Sequence, residues 1–295
     1  MGRTALISDR APVNRSAGLA LAVLATGGAR GEVVMLAQRE VPQYAQVAAG
    51  FQKVNPQARV ADVADGALAV RDSDVIVAIG SKAFELARAQ PGSAAIVAAA
   101  VLTPQPGGSH PITAVPMESR AGDALDALRA LAPNARRVLV LHPPGDSPML
   151  SEARAAAKAR GLSAEFRALG DLSGLEGSLH ELLQGQQALW LLPDARLARP
   201  EVAKFLVATC LDRKLPLIGF LAGMAQVGAL VAVAADFDAI GREAAKLASD
   251  LAARAPAARS GVPFRFVAGH VLVNGRTAQQ LGLSGETPAG AEMVR

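Results

Sequence analysis

The chain is short of the residues on which stapled or chemically reactive proteins depend. It has a single cysteine, Cys210, in 295 residues, so no disulfide can close within it. Cys210 lies in the apolar run Phe205–Leu211, where it reads as a small buried hydrophobe. Four histidines lie far apart in sequence and suggest no metal site. The pentad His180-Glu181-Leu182-Leu183-Gln184 comes near a zinc-binding helix motif, but Gln184 replaces the second histidine. An amphipathic surface helix accounts for it. Gly-x-Gly-x-x-Gly, the phosphate-binding Gly-x-x-x-x-Gly-Lys and Gly-x-Ser-x-Gly are all missing, which argues against an enzyme and against a bound cofactor. The net charge of +4 is dispersed, with no basic run longer than two residues, so a nucleic-acid surface has little support. Aromatic residues make up only 3% of the chain.

Long apolar runs are missing too. The longest early one, Ala17–Ala25, has nine residues, whereas a membrane-spanning helix needs about 20. Arg3, Arg10 and Arg15 precede it and Gly27-Gly28-Ala29 follows, the layout of a cleavable secretory signal over residues 1–29. No cysteine follows the apolar core to carry a lipid. The expectation is export to the periplasm, with a buried first helix or strand as the alternative.

What the chain does have is apolar bulk. Hydrophobic residues are 51% of the total, mostly Ala, Val and Leu, a mixture that suits parallel strands covered by Ala-rich helices. Strand–helix alternation begins at Gly31–Gln38 and continues through a helix with Tyr44, Val47, Ala48 and Phe51 on one face. Asp74–Gly80 and Ala95–Leu102 read as strands buried on both faces. A loop rich in Pro and Gly, Thr103–Pro111, closes this unit. A second unit repeats the plan, with helices at 119–132, 148–160, 172–183, 199–212 and 221–227. Its strands are Arg137–Leu141, Ala164–Leu169, Ala188–Leu192, Leu215–Gly219 and Ala229–Val233. A long helix at 237–253, a strand-like stretch at 262–267, a strand at 270–273 and a short helix at 275–281 are too few for a third domain. They are better used to complete the other two. The expected fold is therefore α/β, with two doubly wound parallel-sheet domains joined by a multi-strand hinge. Residues 30–113 with 236–266 form one lobe, and 114–235 with 267–295 the other.

The second unit resembles the substrate-binding proteins of ABC transporters with a type I periplasmic-binding fold, in the branch linked to tryptophan or tyrosine uptake. Residues 131–138 (LAPNARRV), the turn 142–147 (HPPGDS), 188–194 (ALWLLPD) and 215–220 (LPLIGF) carry the likeness. So do Asp236-Phe237, Gly241–Ala245 and Val273–Gly282, with Asp74–Ala83, Tyr44 and Gly50-Phe51 matching more thinly in the first unit. His142 stands where relatives often have Asn, and the stretch Pro111–Val115 lacks their usual glycine. The resemblance implies a monomer that clamps a small molecule, an amino acid or similar zwitterion, and delivers it to a membrane permease. A ligand-sensing domain for a membrane receptor is the alternative.

In open parallel sheets the ligand sits beyond the carboxyl ends of the strands. That rule picks out Ser81, Lys82 and Thr103 in the first lobe, and Asp146, Ser147, Asp194, Phe220 and Asp236 in the second, and the resemblance adds Tyr44. Ser81 and Ser147 could cap helices and so receive a ligand carboxylate at a helix N-terminus. Asp194 or Asp236 could accept an amine. Plain helix capping or a turn explains each of these four about as well, Lys82 reads as solvated, and Phe220 as either core or cleft. Trp190, at mid-strand, reads as core, which leaves aromatic specificity without support from composition.

Overall fold

A computed structural model describes residues 31–294 apart from 67, 103 and 106. The expected signal at 1–29 lies outside the described residues. The first lobe holds a five-stranded parallel sheet of β1 (Val33–Ala37), β2 (Arg59–Asp62), β3 (Val75–Ile79), β4 (Ala95–Ala99) and β5 (Ile112–Val115), in the order β2-β1-β3-β4-β5. β1, β3 and β4 are buried at every position because both faces are covered, which is why they read as unbroken apolar runs. Helix α1 (Pro42–Val54) covers one face, and α2 (Ser81–Arg88) covers the other.

The second lobe holds α3 (Ala121–Leu131), β6 (Arg137–His142), α4 (Pro148–Ala159), β7 (Ser163–Ala168), α5 (Leu172–Leu182), β8 (Ala188–Leu191), α6 (Pro200–Asp212), β9 (Leu217–Gly219), α7 (Ala222–Gln226) and β10 (Val231–Ala234). The chain then returns to the first lobe as α8 (Phe237–Ala252), which lies across α1. It comes back once more to give β11 (His270–Asn274), α9 (Gly275–Gln280) and β12 (Glu292–Val294). The second sheet runs β12-β11-β10-β9-β8-β6-β7, parallel except where β11 meets β10. Two doubly wound α/β domains are thus present, as the alternation of the sequence predicts.

Three segments cross between the lobes: 116–120, 235–236 and 267–269. They are tied to one another. The Arg120 N–H donates to the Val267 carbonyl at 2.9 Å, and the Ser119 hydroxyl to the Ala234 carbonyl at 3.3 Å. Gly269 lies so close that an added Cβ would stand 2.3 Å from Ser119 Oγ and 2.7 Å from the Ala234 oxygen. The first crossing falls after Val115, not at 113/114, because β5 completes the ladder on β4 through Val115.

The expected strand at 262–267 is absent as a strand. Pro263 interrupts it, and the stretch reaches the edge of β5 through the Arg265 N–H, donating to the Ala114 carbonyl at 2.9 Å, and through the Thr113 hydroxyl, donating to the Pro263 carbonyl at 3.1 Å.

Candidate functional site

A cavity of about 480 Å³ lies between the lobes, at the carboxyl ends of both sheets. Gln43 of α1, Leu102 beyond β4 and Phe237 of α8 supply the first-lobe wall. On the second-lobe side are Trp190 of β8, Pro193 beyond β8, Phe220 and Leu221 beyond β9, and Met149 of α4. The hinge forms the floor, through Met117–Arg120 and Ala234-Ala235. The surface is apolar apart from a few groups, of which Glu118 and Arg120 carry charge. Glu118 is 3% exposed.

The expected site residues meet different fates. Phe220 lines the cavity as a strand-end aromatic. Tyr44 does not line it; its ring lies over Gly80, where a Cβ would be 2.5 Å from ring carbons. Gly80, with φ of 84°, caps α2 without a side-chain bond, so Ser81 is the first helical residue and exposed, not the cap. Lys82 follows it on the exposed first turn. Thr103 lies outside the described residues. Ser147 does cap α4, accepting from the Leu150 N–H at 3.0 Å, and it borders a small recess shared with Glu118. Asp146 beside it is exposed.

The two aspartates read as amine acceptors are engaged inside the protein. Asp194 takes the Arg196 guanidinium in a two-point grip, Nε to Oδ1 at 3.0 Å and Nη2 to Oδ2 at 2.6 Å, along with the Arg196 N–H at 2.7 Å. Burial pushes its carboxyl up, but the Arg196 bonds outweigh that and hold it below the ordinary aspartate value. Asp236 caps α8 by accepting from the Ala239 N–H at 2.8 Å, and it lies 3.7 Å from His270 Nε2. Their neighbours Pro193, Ala195, Ala235 and Phe237 face the cavity instead.

Sequence reasoning missed three contributors. Trp190 was assigned to the core, and it is buried at 3% exposure, yet it also lines the cavity. Phe237 was passed over as a helix residue. Glu118 was passed over because the strand-end rule looks at the ends of strands and not at the hinge. A lone charge after the apolar stretch Ile112–Met117 was the available signal.

Near the floor, Glu152 of α4 reaches over to α3. Its Oε1 accepts from the Ala121 N–H at 2.9 Å, serving the helix end that Arg120 leaves without a side-chain cap. Its Oε2 is buried and has no hydrogen-bond partner among the described residues. Burial pushes the Glu152 carboxyl up, with a smaller push from Asp123, against the lowering effects of the Ala121 bond and Arg120. Cys210 is buried on α6, and burial pushes its thiol up to about 12, so it is inert at neutral pH. Among the described residues no three His, Cys, Asp or Glu side chains gather as a metal site, and no helix is long and apolar enough to cross a membrane.

Comparison with known proteins agrees with this geometry. Residues 42–287 match the family model of ABC transporter substrate binding protein. No curated protein matches the sequence. Among solved structures, a Streptococcus pneumonia ABC domain in complex with L-Trp is 20% identical, with 90% of this chain and 100% of that one covered and a TM-score of 0.56. A ligand-free, open substrate binding protein with adhesive properties from Clostridium difficile is 14% identical, covering 90% and 99%, with a TM-score of 0.58. A conserved domain protein from Vibrio cholerae is 16% identical, covering 90% and 100%, with a TM-score of 0.55.

Proposed function

This chain belongs to the ABC transporter substrate-binding family, and from that premise we propose that it is the solute-binding component of an importer, clamping a small amino acid or similar zwitterion between its lobes. The observation that carries the reading is the apolar cavity between two lobes joined by three crossings. Such a seat loses its water when the lobes approach, and hinge closure then presents surfaces of both lobes together to a partner. The partner in this reading is a membrane permease, and the place is the periplasm. The family is one of substrate-binding proteins.

Trp190, Phe220 and Phe237 favour a solute with a flat or branched apolar side chain, since aromatic walls gain most against such groups. The L-Trp bound in the 20%-identical Streptococcus domain supports the same direction.

Trp190 is the sole tryptophan of the chain and lines the cavity, so it reports occupancy directly. A screen of amino acids, nucleosides and small organic acids should give a saturable change in its fluorescence together with a rise in melting temperature. No response from any class would sink the transport reading.

A further inference from the structure

We infer that the cleft recognises its solute by a carboxylate, which takes hydrogen bonds from the indole N–H of Trp190 and the guanidinium of Arg120. The inference rests on the solute-binding reading above and names the chemistry of the same cavity.

Five of the residues that line the cavity carry nitrogen or oxygen in their side chains: Gln43, Glu118, Ser119, Arg120 and Trp190. Two of them are spent inside the protein. The Ser119 hydroxyl donates to the Ala234 carbonyl at 3.3 Å, and Glu118, at 3% exposure, is engaged within the chain. Trp190 is buried as deeply, yet among the described residues nothing accepts from its indole N–H, and that atom is not shut away from solvent. A buried indole N–H ordinarily finds a partner. The open surface beside Trp190 is the cavity, so the missing acceptor belongs to the solute.

Arg120 asks for the same chemistry. Its side chain is 53% exposed, and among the described residues its one ion pair is with Asp123 at 3.5 Å, with no hydrogen bond from the guanidinium. Asp123 is itself committed, since its Oδ2 accepts from the Gly269 N–H at 3.0 Å. Asp123 balances the charge of Arg120 while the cleft is open. When the lobes close and water leaves, each N–H without an acceptor costs stability. An indole and a guanidinium only donate, so a head made of acceptors satisfies both, and a carboxylate does so with charge-assisted bonds. A lone primary amine leaves both unsatisfied. The N-terminus of α3 does not compete for the carboxylate, because Glu152 already accepts from the Ala121 N–H at 2.9 Å. Apart from Gln43 the remaining lining is apolar, which suits an apolar body behind the head.

The test is calorimetric titration with matched sets on one apolar scaffold: L-phenylalanine, 3-phenylpropionate and phenethylamine, then L-leucine, 4-methylpentanoate and isoamylamine. The carboxylates should bind the unmodified protein at least tenfold more tightly than the two amines that lack one. Trp190→Phe keeps an aromatic wall and removes the donor, and Arg120→Gln removes the charge. Each should weaken the carboxylates about tenfold and leave the two amines within about twofold. Phe220→Ala should weaken every member alike. The chain has a single tryptophan, so one indole N–H resonance can be followed by NMR. The carboxylates should move it downfield and slow its exchange with water, and the amines should not. Equal binding of the two classes, an unchanged preference in either variant, or an indole resonance that ignores bound carboxylates overturns the inference and leaves the solute-binding reading standing. A protein that responds in the wider screen only to compounds without a carboxylate also overturns the inference alone. Silence in both screens removes the function on which it rests. Should either variant not fold, the matched sets and the indole resonance of the unmodified protein decide the question.

Discussion

Asp194 shows how a well-placed carboxylate can be unavailable to a ligand. Its position beyond β8 meets the strand-end rule, but Arg196 two residues on takes both oxygens. Asp194→Asn should cost about 1–3 kcal/mol at pH 7, because Arg196 keeps its charge and loses its partner. Solute affinity should stay within about twofold, since the carboxylate faces Arg196 and not the cavity. A loss of affinity with stability intact, seen by titration beside a denaturant curve, would reverse this assignment. The pH dependence follows from the direction of the shift. An unfolded aspartate titrates near 3.9, whereas folded Asp194 and Asp74 both lie lower, the latter through bonds from Arg71 and Glu32 that outweigh its burial. Their stabilisation is thus complete above about pH 4 and is lost as pH falls through their folded values. The gap between parent and Asp194→Asn should narrow in that window. Glu152 runs the other way. Its folded value is raised, so the parent loses stability as pH climbs from the ordinary glutamate value near 4.3. Glu152→Gln, which can still accept from Ala121, should be the more stable protein at pH 7 and equal to the parent below about pH 4. Denaturant midpoints across pH would check both signs.

Among the elements, the contact of α8 with α1 is the most demanding. An added Cβ on Gly50 would lie 2.3 Å from the Asp238 carbonyl oxygen, and one on Gly241 would lie 2.0 Å from that of Val47. Backbone cannot yield as a flexible side chain can, so the two glycines set how closely the helices cross. Alanine normally gains up to about 1 kcal/mol over glycine within a helix. Here the clash should reverse the sign, and Gly241→Ala should cost about 1–3 kcal/mol by urea unfolding. Among the described residues nothing lies within 4 Å of a Cβ added to Gly177 on α5, so Gly177→Ala should instead gain up to about 1 kcal/mol. If both substitutions stabilise, the close crossing is not what holds α8. Legibility also divides at this scale. The buried strands β3 and β4 and the amphipathic α8 were plain in the sequence because each has a strong period or an unbroken apolar run. β2 is half-exposed and polar, and β12 has three residues; neither carries enough pattern to be seen. The site was legible only as a region. Phe220 could be placed from its strand, but whether a carboxylate is taken by Arg196, as at Asp194, or set in the cleft, as at Glu118, depends on loop paths that periodicity does not encode.

For the whole molecule, chain order and spatial order disagree, and the disagreement has thermodynamic consequences. The first lobe is unfinished until α8 arrives, because Ile240, Ala244, Leu247 and Leu251 cover the same face as Val47 and Phe51. Yet the buried residues of each main core cluster stay within one lobe, and the lobes meet through three crossings and the cleft. Such an arrangement couples the lobes weakly when the cleft is empty. Heating the unliganded protein should therefore give a broadened calorimetric transition, with a van't Hoff enthalpy below the calorimetric one. A solute held by both walls changes the coupling. At a free concentration one hundred times Kd it stabilises the closed form by about 2.7 kcal/mol, and only while both lobes are folded. Either lobe unfolding alone then forfeits the whole of that gain. Saturating ligand should accordingly raise the melting temperature and draw the two enthalpies together. A transition already two-state without ligand, or a ligand that shifts one component and leaves the other in place, would mean that the cleft does not join the lobes energetically.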